Sequence, residues 1–217
     1  SVPIIETMGL TETGAQILSN PMPPEQRKIG SPGKPVGNEI MIGDYNQKPV
    51  SSGTVGEILD RGKNVMLGYL KQPKETAKTI TNEGWLRTGD IGYEDNDGFI
   101  FVKARIKELI IKGGENISPR EIDEVLLEHK CVLEAGAFAV PCNDYGHKPE
   151  ACVILKEGML ESEKNLRAFC VKRLGAFKAP SKIHIQKELP KGPSGKIQRL
   201  KLFGVIYPTK DGNLIDG

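Results

Sequence analysis

A change of texture near Ile106 constrains the fold of this chain more than any other feature of the sequence. Upstream the chain is rich in glycine, proline and short β runs. Residues 36–42, 55–60 and 99–103 read as strands, with turns such as Asp95-Asn96-Asp97-Gly98 between them. Residues 73–80 read as a short helix opening on Pro73. Downstream the period changes. Ser118-Pro119-Arg120-Glu121 has the form of a capping box with proline at the first helical position, and Ile122, Val125 and Leu126 follow as one apolar face. Residues 132–140 and 151–155 read as strands. A second amphipathic helix is expected over 162–174, with Leu166, Phe169, Cys170 and Leu174 inward and Gly175 as its stop, then a last strand over 183–186. The predicted class is α+β: a β-rich first part, then a small domain of helices on a short, largely antiparallel sheet. At about 100 residues this second part can hold its own core.

Composition narrows the function classes. A formal net charge of +2 over 217 residues makes no electrostatic case for nucleic acid or an anionic membrane. No apolar run approaches the roughly 20 residues of a membrane span. No signal peptide is visible and the terminal Leu214-Ile215-Asp216-Gly217 is not a peroxisomal address, so the expected compartment is the cytoplasm. Cys131, Cys142, Cys152 and Cys170 are widely spaced without a CxxC pair, and are expected to be reduced, mostly buried thiols. Cys142, His147 and Cys152 lack zinc-ligand spacing. His129 and His184 read as a helix-end and a strand residue, neither beside a nucleophile or carboxylate that suggests catalysis.

The candidate chemistry centres on the run Leu189-Pro190-Lys191-Gly192-Pro193-Ser194-Gly195-Lys196-Ile197-Gln198-Arg199. A lysine between glycine-containing turns and a basic tail presents one compact ammonium to an anionic centre. The alternative is an exposed turn before a solvated basic strand. Three upstream segments accompany it. They are Thr7-Met8-Gly9-Leu10-Thr11-Glu12, then Trp85-Leu86-Arg87-Thr88-Gly89-Asp90, then Ala104-Arg105-Ile106-Lys107-Glu108 running into Lys112-Gly113-Gly114-Glu115-Asn116-Ile117-Ser118-Pro119. In this order and spacing the four resemble the adenylate-forming, AMP-binding superfamily of acyl-CoA synthetases, luciferases and peptide-synthetase adenylation domains, over essentially the whole chain. Ser19-Asn20-Pro21-Met22-Pro23-Pro24 and Gly175-Ala176-Phe177-Lys178-Ala179-Pro180 are similar to oxalate–CoA ligases in particular.

The resemblance implies that residues 1–107 are the C-terminal part of a large AMP-binding domain and residues 108–217 a small, mobile C-terminal domain. The phosphate loop and most of the acyl pocket would lie in a missing N-terminal region. It implies an AMP-forming acid–thiol ligase that turns a small-molecule carboxylic acid, ATP and coenzyme A, with Mg²⁺, into acyl-AMP and then acyl-CoA, as in fatty acid metabolism. The 217 residues alone are expected to be inactive. Within the motif opening at Gly9, Thr11 would donate its hydroxyl to a phosphoryl oxygen and Glu12 would hold the metal. Asp90 would accept both ribose hydroxyls, and Arg105 would reach the ribose. Lys196 would bridge the acyl carboxylate and the ATP ribose or phosphate as the mixed anhydride forms. Lys112, Gly113, Gly114, Glu115 and Asn116 would border the pantetheine channel, since a glycine pair admits close backbone approach. Glu108 would be the hinge about which the small domain rotates between half-reactions.

The plainer alternatives are turn carboxylates for Glu12 and Asp90 and a surface ion pair for Arg105. Three positions depart from the family pattern: Met8 where an aromatic residue is usual, Ala104 where many relatives have glycine, and Glu108 where Asp or Lys is more frequent. Ser51-Ser52-Gly53-Thr54-Val55-Gly56 imitates a phosphate loop but lacks the closing Pro-Lys, and reads as a structural turn. Two other functions stay open: a non-catalytic binding or regulatory module of the same fold, and a luciferase-like adenylate-forming enzyme.

Overall fold

The computed structural model describes residues 2–208, so the terminal Leu214–Gly217 lies outside the described residues. The chain divides into two compact units, Ser1–Ile106 and Lys107–Gly217. Among the described residues no helix is long and apolar enough to cross a membrane.

In the first unit, β1 (Thr7–Gly9), β2 (Gln16–Ser19) and β3 (Lys34–Pro35) form a small antiparallel sheet. An antiparallel meander follows, β4 (Glu39–Gly43), β5 (Gly56–Arg61), β6 (Leu86–Glu94) and β7 (Ile100–Arg105), with α1 (Pro73–Thr79) inserted between β5 and β6. Ile17, Leu18, Ile42, Ile58 and Ile100 make its core. The strand expected over 36–42 begins only at Glu39, because Gly37 adopts φ 74° and Asn38 turns its side-chain carbonyl onto the Val36 amide at 2.8 Å. That local hydrogen bond competes with the ladder.

The second unit is built on a five-stranded sheet. A hairpin of β8 (Ile110–Lys112) and β9 (Glu115–Ile117) leads into α2 (Pro119–Leu127). The long hairpin of β10 (Val132–Cys142) and β11 (Gly146–Leu155) follows, then α3 (Glu163–Lys178). β12 (Lys182–Ile185) adds to β11 in parallel, and the described chain ends near α4 (Leu202–Ile206). Strand periodicity explains why both sheet faces are buried. Ala135 and Ala137 of β10 and Ala151 and Val153 of β11 face the apolar sides of α2 and α3, with Ile122, Leu126, Leu166 and Cys170. Phe138, Val140 and Cys152 face the other way, onto Leu189 and Leu202. That second face seats the segment carrying Lys196.

Two helix ends depart from the sequence expectation. Ser118 is the N-cap of α2, but its side chain makes no capping bond, and Glu121 instead binds Lys178 at 2.8 Å. A charged partner displaces the reciprocal contact of a capping box. Gly175 interrupts α3 at φ 76°, as a stop should, yet one more turn continues to Lys178. All four cysteines are free, and Cys131, Cys152 and Cys170 are buried. Burial pushes the Cys152 thiol up to about 12 and the Cys170 thiol up to about 11.

Candidate active site

In the first unit the adjacent antiparallel strands β6 and β7 place Asp90 directly opposite Arg105. Arg105 Nε donates to Asp90 Oδ1 at 3.0 Å. Asp90 is only 5% exposed, whereas the Arg105 side chain is 60% exposed. The Asp90 amide donates to Thr88 Oγ1 at 3.1 Å, and that hydroxyl donates to the Ile58 carbonyl at 2.7 Å. The carboxylate is thus fixed from its own backbone inward and meets a guanidinium that reaches out to solvent.

Glu12 stands on a single 3-10 turn, Thr11–Thr13, closed by the Thr13 hydroxyl donating to the Leu10 carbonyl at 2.9 Å. Gly9 just before it ends β1 where the chain passes itself closely: a Cβ there would fall 2.3 Å from the Ala15 carbonyl oxygen. Thr11 is exposed. Glu12 Oε1 accepts from the Tyr69 hydroxyl at 2.8 Å, and the Glu12 carbonyl accepts from the Met66 amide at 2.8 Å. The hydrogen bond to Glu12 holds the Tyr69 phenol above its ordinary value. Mg²⁺ prefers a small number of carboxylate oxygens with water and phosphate completing its shell. Glu12 suits that role, because the side chain orienting it is a neutral phenol rather than a competing cation. Tyr69 was not legible as a site residue; it lies 57 positions away, and only the fold brings it to Glu12.

In the second unit Lys196 projects from a closed loop. The Gly192 amide donates to the Lys196 carbonyl at 2.8 Å, and the Gly195 amide to the Gly192 carbonyl at 2.9 Å. Lys191 and Ile197 form an antiparallel bridge at the neck, and Ile197 packs into the apolar cluster of Phe138 and Leu202. The loop is anchored from beneath and Lys196 is exposed. Gly113 and Gly114 form the turn between β8 and β9 at φ 55° and 83°, a conformation L side chains rarely adopt, and Glu115 and Asn116 follow exposed. The hairpin is held separately from the lysine loop. The Gly113 amide donates to the Tyr145 carbonyl at 2.9 Å, and Lys112 Nζ donates to the Phe177 carbonyl at 2.6 Å while lying over the Phe177 ring. Glu108 closes a 3-10 turn over Ile106–Glu108, and its carboxylate accepts from Arg199 Nε at 2.9 Å.

His129 and His184 both sit against carboxylates, contrary to the sequence reading. His184 Nε2 lies 2.7 Å from Glu150 Oε2, which also accepts from the Tyr207 hydroxyl at 2.8 Å. His129 Nε2 lies 3.7 Å from Glu161. The partners are 34 and 32 positions apart in sequence, which hid them. Burial opposes the charge on Glu150, yet the bonds from His184, Tyr207 and Lys148 hold it below its ordinary carboxylate value. Among the described residues, His129, Cys131 and Glu161 bring potential ligand atoms within 4.8 Å of one another; Cys142, His147 and Cys152 do not form such a group.

Family models match in chain order: the AMP-binding enzyme model over residues 1–70 and the AMP-binding enzyme C-terminal domain model over residues 121–196. The chain is 52% identical over 200 residues to a sulfoacetate–CoA ligase of Cupriavidus necator, covering 92% of this chain and 39% of that protein. It is 43% identical to the oxalate–CoA ligase of Saccharomyces cerevisiae, covering 92% and 37%. Among solved structures, o-succinylbenzoate CoA synthetase of Bacillus subtilis bound to its acyl-adenylate superposes with a TM-score of 0.84 at 36% identity, over 98% of this chain and 42% of that one. ATP-bound MatB of Rhodopseudomonas palustris superposes with a TM-score of 0.86 at 30% identity, over 94% and 41%. The chain therefore spans about two fifths of the length of the curated relatives it matches. On these matches and on the four ordered motifs, the chain belongs to the adenylate-forming, AMP-binding enzyme family.

Proposed function

We propose that this chain is the C-terminal part of an AMP-forming acid–CoA ligase, in which it supplies the ribose and metal contacts, the adenylation lysine and the face that admits coenzyme A. The carrying observation is one chain that holds a buried, backbone-fixed carboxylate at Asp90 and an exposed, loop-presented ammonium at Lys196. In the first half-reaction a carboxylate oxygen of the acid attacks the α-phosphorus of ATP. A phosphorus–oxygen bond to pyrophosphate breaks as the mixed anhydride forms. Asp90 and Arg105 orient the ribose, Thr11 contacts a phosphoryl oxygen, and Lys196 offsets the charge gathering between acid and phosphate. Mg²⁺, when bound at Glu12, neutralises phosphate charge. In the second half-reaction the thiolate of coenzyme A attacks the acyl carbon and AMP leaves. Gly113 and Gly114 give the pantetheine arm backbone-close passage, and rotation about Glu108 exchanges the lysine for this glycine face.

The names of the relatives favour short acids carrying a second anionic group, since sulfoacetate and oxalate are both of that kind. The free, mostly buried thiols agree with a reducing compartment such as the cytoplasm. The test is ATP–pyrophosphate exchange by the complete ligase containing this chain, with oxalate, sulfoacetate and a medium-chain fatty acid, followed by coenzyme A capture. Acid-dependent exchange and thioester are expected, with none from the 217 residues alone. Exchange that ignores the acid, or turnover by the 217 residues, would overturn this reading.

A further inference from the structure

Arg199 lies three residues beyond Lys196 and makes the most extensive charged contact in the second unit's described residues. Its side chain is 15% exposed. Nε donates to Glu108 Oε2 at 2.9 Å, Nη1 to the Ala137 carbonyl at 2.5 Å, and Nη2 to Asp123 Oδ2 at 2.7 Å. Asp123 is itself tied down, accepting the Ala137 amide on Oδ1 at 2.6 Å. One planar guanidinium thus joins the end of the lysine loop, the middle of β10, helix α2 and the turn at Glu108. Three acceptors in different directions need the fixed fork of arginine, which a lysine cannot reproduce.

We propose that Arg199 is a positioning residue that locks the Lys196 loop to Glu108, so that the adenylation lysine and the hinge segment move as one body. This rests on the ligase reading above. If Glu108 turned freely at the domain boundary, its motion would not be passed to the lysine. Bound to Arg199, Glu108 belongs to the second unit, and rotation there carries the whole lysine loop with it. The glycine hairpin has separate anchors, Gly113 on Tyr145 and Lys112 on Phe177. Loss of Arg199 therefore misaims the lysine and spares the coenzyme A face.

Two measurements test this. In the 217-residue chain, Arg199→Ala should speed hydrogen exchange at the Gly192 and Gln198 amides, which close the lysine loop, at least about tenfold, with the Gly113 amide unchanged. In the complete ligase the same variant should lower kcat for acyl-AMP formation at least about tenfold with little change in KM for ATP. Thioester formation from preformed acyl-AMP should stay within about threefold. Should Arg199→Ala fail to fold, Arg199→Lys serves: it should keep the Asp123 arm and most of the melting temperature, yet still lose adenylation. Unchanged loop exchange in a folded variant, or equal loss in both half-reactions, overturns the proposal. A wild-type ligase lacking either half-reaction would instead refute the ligase reading, and the exchange result would still decide whether Arg199 locks the loop.

Discussion

Asp90 is carried on the nine-residue strand β6, buried, with its amide bonded to Thr88 and its carboxylate to Arg105 of the neighbouring strand. Lys196 stands exposed on a loop closed by two backbone bonds. The carboxylate is held in place by its strand and its partners, which suits the ribose recognition proposed above. The lysine is held at its base and exposed at its tip, which suits the delivery and withdrawal of charge proposed above. The recognition group proposed above thus stands on a sheet ladder and the proposed adenylation charge on a turn, because a ladder pairs successive backbone groups and a turn leaves its outermost side chains unpacked.

The largest effect should come from the turn. Lys196→Ala in the complete ligase should slow acyl-AMP formation about 10²- to 10³-fold, the usual loss for one preorganised charge. Thioester formation from preformed acyl-AMP and the melting temperature should be nearly unchanged. Separate assays of pyrophosphate release and single-turnover thioester formation measure this, and equal losses would break the contrast.

Glu108→Pro comes next. Proline fixes φ near −65°, so one half-reaction should fall at least about tenfold relative to the other, about 1.4 kcal/mol in barrier. Thioester formation should suffer most, since the glycine hairpin must be re-aimed. Glu108→Ala removes the carboxylate that Arg199 binds but leaves φ free, and should impair adenylation instead. A folded Glu108→Pro protein with both half-reactions intact would mean that the chain does not pivot there.

On the recognition side, Arg105→Ala should raise KM for ATP only about two- to fivefold, because exposed ion pairs contribute about 0.2–1 kcal/mol. Asp90→Ala should cost more, since it removes the group the ladder positions. Initial-rate kinetics at saturating acid decide the order, and an Arg105 effect exceeding that of Asp90 would reverse the assignment.

The smallest effect concerns the platform under the lysine. Glu150 has a carboxylate value below the ordinary 4.5, so its stabilisation is present above that value and lost as pH falls through the lower folded value. Asp123 runs the other way: burial raises it, with Arg199 opposing, so it favours folding while protonated and that contribution is lost as pH rises. Urea midpoints between about pH 3 and 6 should therefore fall less steeply for Glu150→Gln than for the wild type. Identical slopes would show that the His184–Glu150–Tyr207 cluster does not link to acid stability.

Local signals were legible. Pro73 opens α1, Gly175 breaks α3, and the glycine pair turns the β8–β9 hairpin, each by its own backbone preference. Apolar period alone placed Ile122, Leu126, Leu166 and Cys170 in the core. Partners far apart in sequence were not legible. Glu121 abandons its expected cap for Lys178, 57 residues on, and Glu150 meets His184 across 34.

Residue identity by itself determined the α+β class, the change of architecture near Ile106 and the presentation of Lys196, because turn chemistry, capping residues and apolar period act over a few neighbouring positions. Only the tertiary structure decided that Tyr69 orients Glu12, that Arg105 covers Asp90, and that Arg199 reaches back 91 positions to Glu108. A charged side chain takes whichever partner the packed core brings within about 3 Å, and strand register and helix docking set that distance.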